Sequence, residues 1–124
     1  MIMPAYDPNN IFARILRGEI PCKKVFEDDH VLAFHDIAPK APVHILVIPR
    51  GAYVSVADFG AQAPAEQIAA FWRAVSKIAG EQNLATGGFR VIANTGLNGS
   101  QEVPHFHVHI LGGKALGPML SQAA

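Results

Sequence analysis

The stretch that decides the fold of this chain is HFHVHIL, residues 105–111. Histidines alternate with large apolar residues, and alternate side chains of a β-strand point to opposite faces of the sheet. The pattern predicts a strand over 104–111, with the apolar residues in the core and three imidazoles together on the other face. A merely solvated face would more naturally use threonine, serine, lysine or glutamate. The histidine row therefore indicates a reactive site.

Two chemistries use such a row, and the strand spacing bears on both. Histidine is a common transition-metal ligand, but residues i and i+4 of a strand stand about 13 Å apart, whereas a Zn–N bond is about 2 Å long. One ion therefore cannot be held by all three, although two of them with His44 from another strand could make a site. The other chemistry is attack on phosphorus by a neutral imidazole, whose phospho-histidine product is labile to water.

The second chemistry suits the central histidine. Neighbouring imidazoles disfavour one another's protonation, which helps to keep the ring of His107 neutral. An acceptor for its Nδ1–H would leave the Nε2 lone pair facing the phosphorus. We therefore predict His107 as a nucleophile, with donors to the phosphate on either side of it, and we expect neither a metal nor a cofactor.

Supporting residues give weaker signals. The loop Asn94–Gln101 has glycines that let backbone N–H groups turn toward a phosphate oxygen. Glu102 could orient a histidine or protonate a leaving group, and the carboxylate of Asp36 could accept from ribose hydroxyls. His44 lies in an apolar run, where a histidine is more often a satisfied core residue. Each of the other three also has a structural alternative. The loop Asn94–Gln101 could be an ordinary connection, Glu102 a solvated charge and Asp36 a turn residue.

The rest of the chain predicts a single antiparallel α+β domain over 1–124, with a core at about 7–120 and a short C-terminal tail. Asp7-Pro8 reads as a helix start, with Gly18 as its end. A longer helix is predicted over 64–84, where apolar residues recur every three or four positions. Strands are predicted over 23–27, 31–36, 43–48 and 89–94.

Composition narrows the function classes. Ten basic and ten acidic residues cancel and are spread evenly, so a basic face for nucleic acid is not supported. Cys22 is the only cysteine, which fits a reducing compartment. The N-terminus lacks a signal-peptide pattern, and the most apolar stretch, 43–49, is too short to span a bilayer. We expect a cytoplasmic protein without a nucleic-acid or membrane partner.

These residues resemble the histidine triad (HIT) family, in which His-x-His-x-His is interleaved with hydrophobic residues. Four further blocks look like its Hint branch: NIFARILRGEIP (10–21), AFHDIAP (33–39), APVHILVIP (41–49) and HILGG (109–113). The GPML at 117–120 resembles bacterial members. The resemblance covers the chain from about 7 to 120.

The resemblance implies purine nucleoside phosphoramidase activity, which cleaves AMP–amine compounds to AMP and the amine. It implies a five-stranded antiparallel sheet with two helices, and a homodimer that joins two such sheets into ten strands. By this similarity His107 becomes nucleotidylated and His109 holds the phosphate and assists the leaving group. His105 and His44 would together form the supporting end of the row.

The remaining matched positions would hold a purine nucleotide, as an AMP or GMP conjugate. Asp36 would contact the ribose. The base would be contacted by Ile11, Phe12, Ile20, Phe34 and Ile37. The phosphate would be contacted by Asn94 and by the backbone of Ser100, Gln101 and Glu102.

Two positions depart from the family pattern. Glu102 stands where animal members carry a serine that contacts the leaving group, and Pro104 replaces a tyrosine common before the first histidine. Two other functions stay open: a dinucleoside polyphosphate hydrolase of the same broad family, and a non-catalytic zinc-binding or regulatory protein.

Overall fold

A computed structural model describes residues 4–121, which form one five-stranded antiparallel sheet and three helices. The elements in chain order are α1 Ile11–Leu16, β1 Lys24–Glu27, β2 Val31–His35, β3 Val43–Pro49, α2 Val56–Gln62, α3 Ala65–Glu81, β4 Phe89–Ile92 and β5 Val108–Gly112. The strands lie in the order β1-β2-β3-β5-β4. The predicted α+β class and five-stranded antiparallel sheet are confirmed, while the bounds of several elements differ by a few residues. No helix within residues 4–121 is both long enough and apolar enough to cross a membrane.

Both faces of the sheet are covered, because apolar residues fill both alternating sets along β2 and β3. One face packs against α3, whose apolar stripe lies at the predicted helical spacing. The fully buried residues between this face and α3 include Val31, Ile45, Val47, Phe71, Ile78, Val108 and Ile110. The opposite face packs against α1 through a smaller cluster of Phe12, Leu32, Phe34, Leu46 and Ile48. The second face also carries His44 and His109, so α1 and the candidate site share one side of the sheet.

Helix α1 begins later than the Asp7-Pro8 pattern predicts. Its N-cap is Asn10, whose side-chain oxygen accepts a hydrogen bond from the N–H of Ala13. The Asp7 carboxylate accepts from the N–H of Asn9, and the Asp7 carbonyl accepts from the side chain of Asn10. Residues 7–10 therefore form a hydrogen-bonded turn that leads into the helix, and Asp7 is not its cap.

The structure has three helices within residues 4–121 where two were expected, and the additional helix is α2. Its N-cap is Ser55, which forms a capping box with Asp58. The aromatic ring of Phe59 is buried against Phe71 and Phe106. Two turns are too short for apolar residues to show a helical period, so the pattern of spacing gives no signal here.

The last strand begins at Val108, so the prediction of one strand over 104–111 that carries all three histidines is wrong. Pairing with β3 ends where Val47 faces Val108. Two residues further along this register Phe106 would face Pro49, which has no N–H to donate. The N–H of Phe106 donates instead to the carbonyl of Tyr53 at 2.7 Å. Of the three histidines only His109 lies on the strand.

Candidate active site

His107 is buried on the α1 side of the sheet, and its proton can be placed from its surroundings. Its Nδ1 lies 2.7 Å from the backbone carbonyl oxygen of His105. A carbonyl only accepts, so Nδ1 carries the hydrogen and Nε2 keeps its lone pair. Burial lowers the pKa of His107 below the ordinary imidazole value, so the ring is neutral at neutral pH. The geometry is the one expected of a nucleophilic imidazole.

Two aromatic neighbours fix the plane of the His107 ring. Phe12 of α1 meets it edge-on, with ring centroids 5.0 Å apart and planes at 89°. His109 lies on another side at 5.0 Å and 66°. Helix α1 therefore contributes packing directly to the reactive ring, through a residue that also anchors the helix to the sheet.

His109 belongs to a chain of two hydrogen bonds that begins at the backbone. Nδ1 of His44 accepts from the N–H of Lys40 at 3.0 Å. The neutral His44 ring therefore carries its proton on Nε2, which lies 2.9 Å from Nδ1 of His109. Nδ1 of His109 is the acceptor in that bond, so its own proton lies on Nε2. His109 thus offers an N–H donor at the atom that His44 does not contact.

Burial and neighbouring histidines keep this chain neutral. Desolvation is the main cause that lowers the pKa of His109 to about 4, and the rings of His107 and His44 lower it further. Burial likewise lowers the pKa of His44, against the opposing effect of the Asp36 carboxylate. Oδ2 of Asp36 lies 3.3 Å from Nε2 of His44. His44 therefore accepts one hydrogen bond and donates one, and His109 accepts one and keeps an N–H on Nε2.

The expected grouping of His44 with His105 is wrong. His44 contacts His109, and His105 contacts His107 through its own backbone carbonyl. The site therefore consists of two hydrogen-bonded pairs that meet where the rings of His107 and His109 touch. His44 is nevertheless buried and fully hydrogen-bonded, as a core histidine is, and it also contacts His109.

A tyrosine that the sequence analysis did not single out completes the histidine cluster. The hydroxyl of Tyr6 lies 2.6 Å from Nδ1 of His105, and Nε2 of His105 lies 2.9 Å from the carbonyl oxygen of Pro49. Burial lowers the pKa of His105 to about 4. The partners are 99 residues apart in the chain, and no local pattern around Tyr6 points to the contact.

Asp36, His44 and His109 also lie close enough to be considered as a metal site, since their ligand atoms are within 4.8 Å of one another. A transition metal needs a lone pair on each ligating nitrogen. The Lys40 N–H occupies Nδ1 of His44, so a neutral ring must carry its proton on the nitrogen that faces the site. Metal binding would require this bond to break, and the arrangement fits a proton-carrying network better than a metal centre.

The loop before the histidines is held in shape by its own side chains. Oε1 of Gln101 accepts from the N–H of Gly96 at 3.0 Å, and its Nε2 donates to the carbonyls of Val54 and Val103 at 2.6 and 3.0 Å. Ser100 adopts a positive φ of 57°. A Cβ at Gly99 would come within 2.6 Å of a backbone oxygen. The side chain of Gln101 is thus used within the protein. The N–H groups of Gly96, Ser100 and Gln101 also donate within the loop, so they bind no phosphate unless the loop changes shape.

The other predicted phosphate-side residues lie at the two ends of this loop. Asn94 follows β4 and is half-buried, while Ser100 and Glu102 are exposed just before the histidines. The charge of Glu102 raises the pKa of His107, an effect smaller than the opposing effect of burial. Glu102 is therefore near the reactive ring, with a solvated carboxylate.

The residues predicted to contact the base divide into buried and exposed sets. Phe12 and Phe34 are buried and meet edge to face at 5.6 Å. Ile20 is half-buried, Ile11 is 47% exposed and Ile37 is 100% exposed. The set therefore combines a buried aromatic pair with isoleucines whose side chains are accessible to a ligand.

Asp36 has capacity left for a ligand. Its Oδ1 accepts from the N–H of Ala38 at 2.7 Å, and Oδ2 faces His44 at 3.3 Å. A carboxylate offers about four lone-pair positions, so both oxygens can accept a further hydrogen bond. The half-buried side chain follows the last residue of β2 and faces His44 on the neighbouring strand β3.

Comparison with known proteins gives a consistent result. A protein-family model described as the HIT domain matches residues 17–116. A HIT-like protein of Azospirillum brasilense is 57% identical over 117 residues, which are 94% of this chain and 96% of that protein. The purine nucleoside phosphoramidase of Escherichia coli K12 is 45% identical over 111 residues, 90% of this chain and 92% of that enzyme. A solved HIT family hydrolase from Clostridium thermocellum has a TM-score of 0.83 at 35% identity, covering 91% of this chain and 97% of that one.

Proposed function

The chain belongs to the HIT domain family, and we propose that it is a nucleotide hydrolase that cleaves the P–N bond of purine nucleoside 5'-phosphoramidates. The observation that carries the proposal is the state of His107. Its Nδ1–H is bound to the carbonyl of His105, and its buried, neutral ring has a free Nε2 lone pair. The similarity to the phosphoramidase of Escherichia coli supports this substrate class.

In the first step Nε2 of His107 attacks the phosphorus, and the P–N bond breaks with its electron pair leaving on the amine. The bound phosphate is negative and would raise the pKa of His109 from its value of about 4. His109 is then protonated on both nitrogens in the complex, so the hydrogen bond that its Nδ1 accepts from His44 breaks, and it gives its Nε2 proton to the leaving amine. The products of this step are the free amine, a neutral His109 and a nucleotidyl-His107.

In the second step water attacks the same phosphorus and the bond to Nε2 of His107 breaks, which releases the nucleoside monophosphate. The neutral His109 accepts a proton from the water and returns to the protonated state that it had in the substrate complex. While Nε2 of His107 is bonded to phosphorus, the ring is cationic because Nδ1 keeps its hydrogen. The carbonyl oxygen of His105, 2.7 Å away, stabilises that charge in a buried site.

The substrate binds on the α1 side of the sheet, where the histidines lie. The purine lies against Phe12 and Phe34, with Ile11 and Ile37 over its edges, and Asp36 accepts from the ribose hydroxyls. The side chain of Asn94 and the backbone N–H of Glu102 donate to the phosphate. No metal takes part in this scheme.

The test is intact-mass measurement after mixing the protein with adenosine 5'-phosphoramidate and quenching with base, which preserves a phospho-histidine bond. We expect wild-type protein to carry an added adenylyl group, and His107→Ala to show neither the adduct nor turnover. His35→Ala is the matched control, because His35 is an exposed histidine on β2 and should keep both. Full turnover by His107→Ala would refute the proposal.

Two further measurements on the same protein test the alternative functions, a dinucleoside polyphosphate hydrolase and a zinc-binding protein. We expect a higher kcat/KM with the phosphoramidate than with a diadenosine polyphosphate, and the reverse order would assign the second activity instead. Protein purified without a metal-affinity tag should contain little zinc. Near-stoichiometric zinc that is lost in His109→Ala would contradict the proton assignment of the His44–His109 pair.

A further inference from the structure

We propose that Tyr6 is a positioning residue for the nucleophilic histidine, an inference that rests on the proposed function of His107. The Tyr6 hydroxyl is 2.6 Å from Nδ1 of His105, and the two rings meet edge to face at 5.6 Å and 69°. Tyr6 has no part in the reaction scheme above. Its effect passes through His105, which lies between it and His107.

The direction of each hydrogen bond at His105 is determined by its partners. The carbonyl of Pro49 can only accept, so Nε2 of His105 carries the proton and donates at 2.9 Å. The ring is neutral at neutral pH because burial lowers the pKa of His105 to about 4. Nδ1 is therefore an acceptor, and the Tyr6 hydroxyl is the donor.

His105 depends on this donor because its side chain is fully buried, with 0% of its surface exposed. A buried nitrogen acceptor that loses its only donor is left without water to replace it. The ring would then be free to turn or shift until Nδ1 found another partner. Tyr6 thus fixes the ring, and with Pro49 it fixes the residue from both sides.

Movement of His105 reaches His107 through the backbone. The carbonyl of His105 accepts the Nδ1–H of His107 at 2.7 Å, so the residue that Tyr6 holds also sets the tautomer of the nucleophile. Phe12 links the two rings from the other side, with centroids 6.4 Å from His105 and 5.0 Å from His107. A displaced His105 carbonyl would weaken the bond that keeps the Nε2 lone pair aimed at phosphorus.

Tyr6 is itself held in place by the segment that follows it. The guanidinium of Arg17, at the end of α1, donates to the carbonyl of Pro8 at 2.7 Å. Asp7 forms the turn that leads into α1 with Asn9 and Asn10. The residues just before α1 are therefore tied to the helix, and the helix is anchored by Phe12 beside the same histidines.

The test is Tyr6→Phe, which removes the hydroxyl and keeps the ring that packs on His105. Because Tyr6 does not touch the substrate, we expect kcat to fall on the order of tenfold, as for a misplaced reacting group, with KM unchanged. Tyr53→Phe is the matched control, since it removes the same atom from a ring that packs on Phe59. An unchanged kcat in Tyr6→Phe, or an equal fall in the control, would overturn the proposal.

Nuclear magnetic resonance of protein labelled with 15N-histidine gives a readout that does not depend on activity. In Tyr6→Phe we expect the Nδ1 signal of His105 to move toward that of a free imine nitrogen, and the Nδ1–H of His107 to exchange faster with solvent. If both signals match the wild type, the positioning role is wrong whatever the protein hydrolyses. If they change but wild-type protein leaves the phosphoramidate intact, the proposed function fails and the contact stands.

Discussion

At the scale of single residues, His105 links burial to the dependence of stability on pH. Its pKa is lowered to about 4 by burial in the folded chain, against 6.5 in the unfolded chain. Between these values the unfolded state binds more protons, so stability rises with pH through this interval. The stability that depends on the neutral His105 ring is fully present above pH 6.5 and is lost as the pH falls toward 4. Its size is on the order of 3 kcal/mol.

Urea unfolding between pH 7.5 and 4.5 measures this effect. We expect the free energy of unfolding of the wild type to fall steadily over the interval, and to fall less steeply in His105→Gln. His35→Gln, at an exposed histidine, should keep the wild-type slope. The loss of the ion pairs of Glu19 and Glu27 begins only as the pH falls to their unfolded value of 4.5, so it contributes only at the acid end of the interval. A flat profile in the wild type would show that the buried histidines are not held neutral.

Residue-level chemistry was predictable from the sequence only where it depends on near neighbours. The tautomer of His107 could be anticipated because its acceptor is two residues away. The partners of His105 and His109 could not, since Tyr6 is 99 residues from the first and His44 is 65 from the second. Both contacts depend on which strands and segments the fold brings together, and no spacing rule carries that information.

At the scale of elements, alternation of apolar residues correctly predicted the strands of the sheet, but it placed the start of the last strand at 104 rather than at Val108. Alternation reports which side chains are buried, and Phe106 and Val108 are indeed in the core. It does not report which backbone groups can pair. Pro49 lacks the N–H needed to continue the ladder, and its carbonyl accepts from the side chain of His105. The chain before Val108 is therefore free of the sheet, and its polar groups form the site.

Helix α2 depends on its cap, and the cap can be tested. The Ser55 hydroxyl accepts from the N–H of Ala57, and the buried Asp58 carboxylate accepts from the N–H groups of Val54 and Ser55. A seven-residue helix has little stability of its own. We expect Ser55→Ala to lower the free energy of unfolding by about 1 kcal/mol.

Thermal and urea unfolding of Ser55→Ala should be compared with Ser76→Ala. Ser76 is exposed within α3, where alanine favours the helix slightly more than serine does, so the control should be neutral or slightly stabilising. Equal effects of the two substitutions would show that the cap contributes nothing. The carbonyl of Val54 also holds Gln101, so loosening this cap reaches the loop beside the histidines.

At the scale of the whole molecule, the two edges of the sheet differ in a way that predicts an assembly. Strand β1 carries charges at both ends, Lys24 and Glu27, and its register shifts within the strand. Both features discourage pairing with another chain. Strand β4, at the other edge, has no register shift, and its one charge, on Arg90, is held by the carbonyls of Gly117 and Pro118. The strand exposes Phe89 and Val91 on the side of α3, where Trp72 is also exposed. Large apolar residues beside an open edge are typical of an interface.

We therefore propose that two copies pair along β4 and form one ten-stranded sheet, in line with the assembly that the family resemblance implies. A lysine at position 91 would place two charges close together across the two-fold axis. We expect sedimentation velocity to give twice the 13.3 kDa chain mass for the wild type and a single chain for Val91→Lys. Val56→Lys, at an equally exposed valine on α2, should remain dimeric. A wild-type monomer at micromolar concentration would contradict the dimer, and an unchanged Val91→Lys dimer would place the interface elsewhere. Since β4 pairs directly with β5, which carries His109, such a dimer would also hold the site strand in the middle of a continuous sheet.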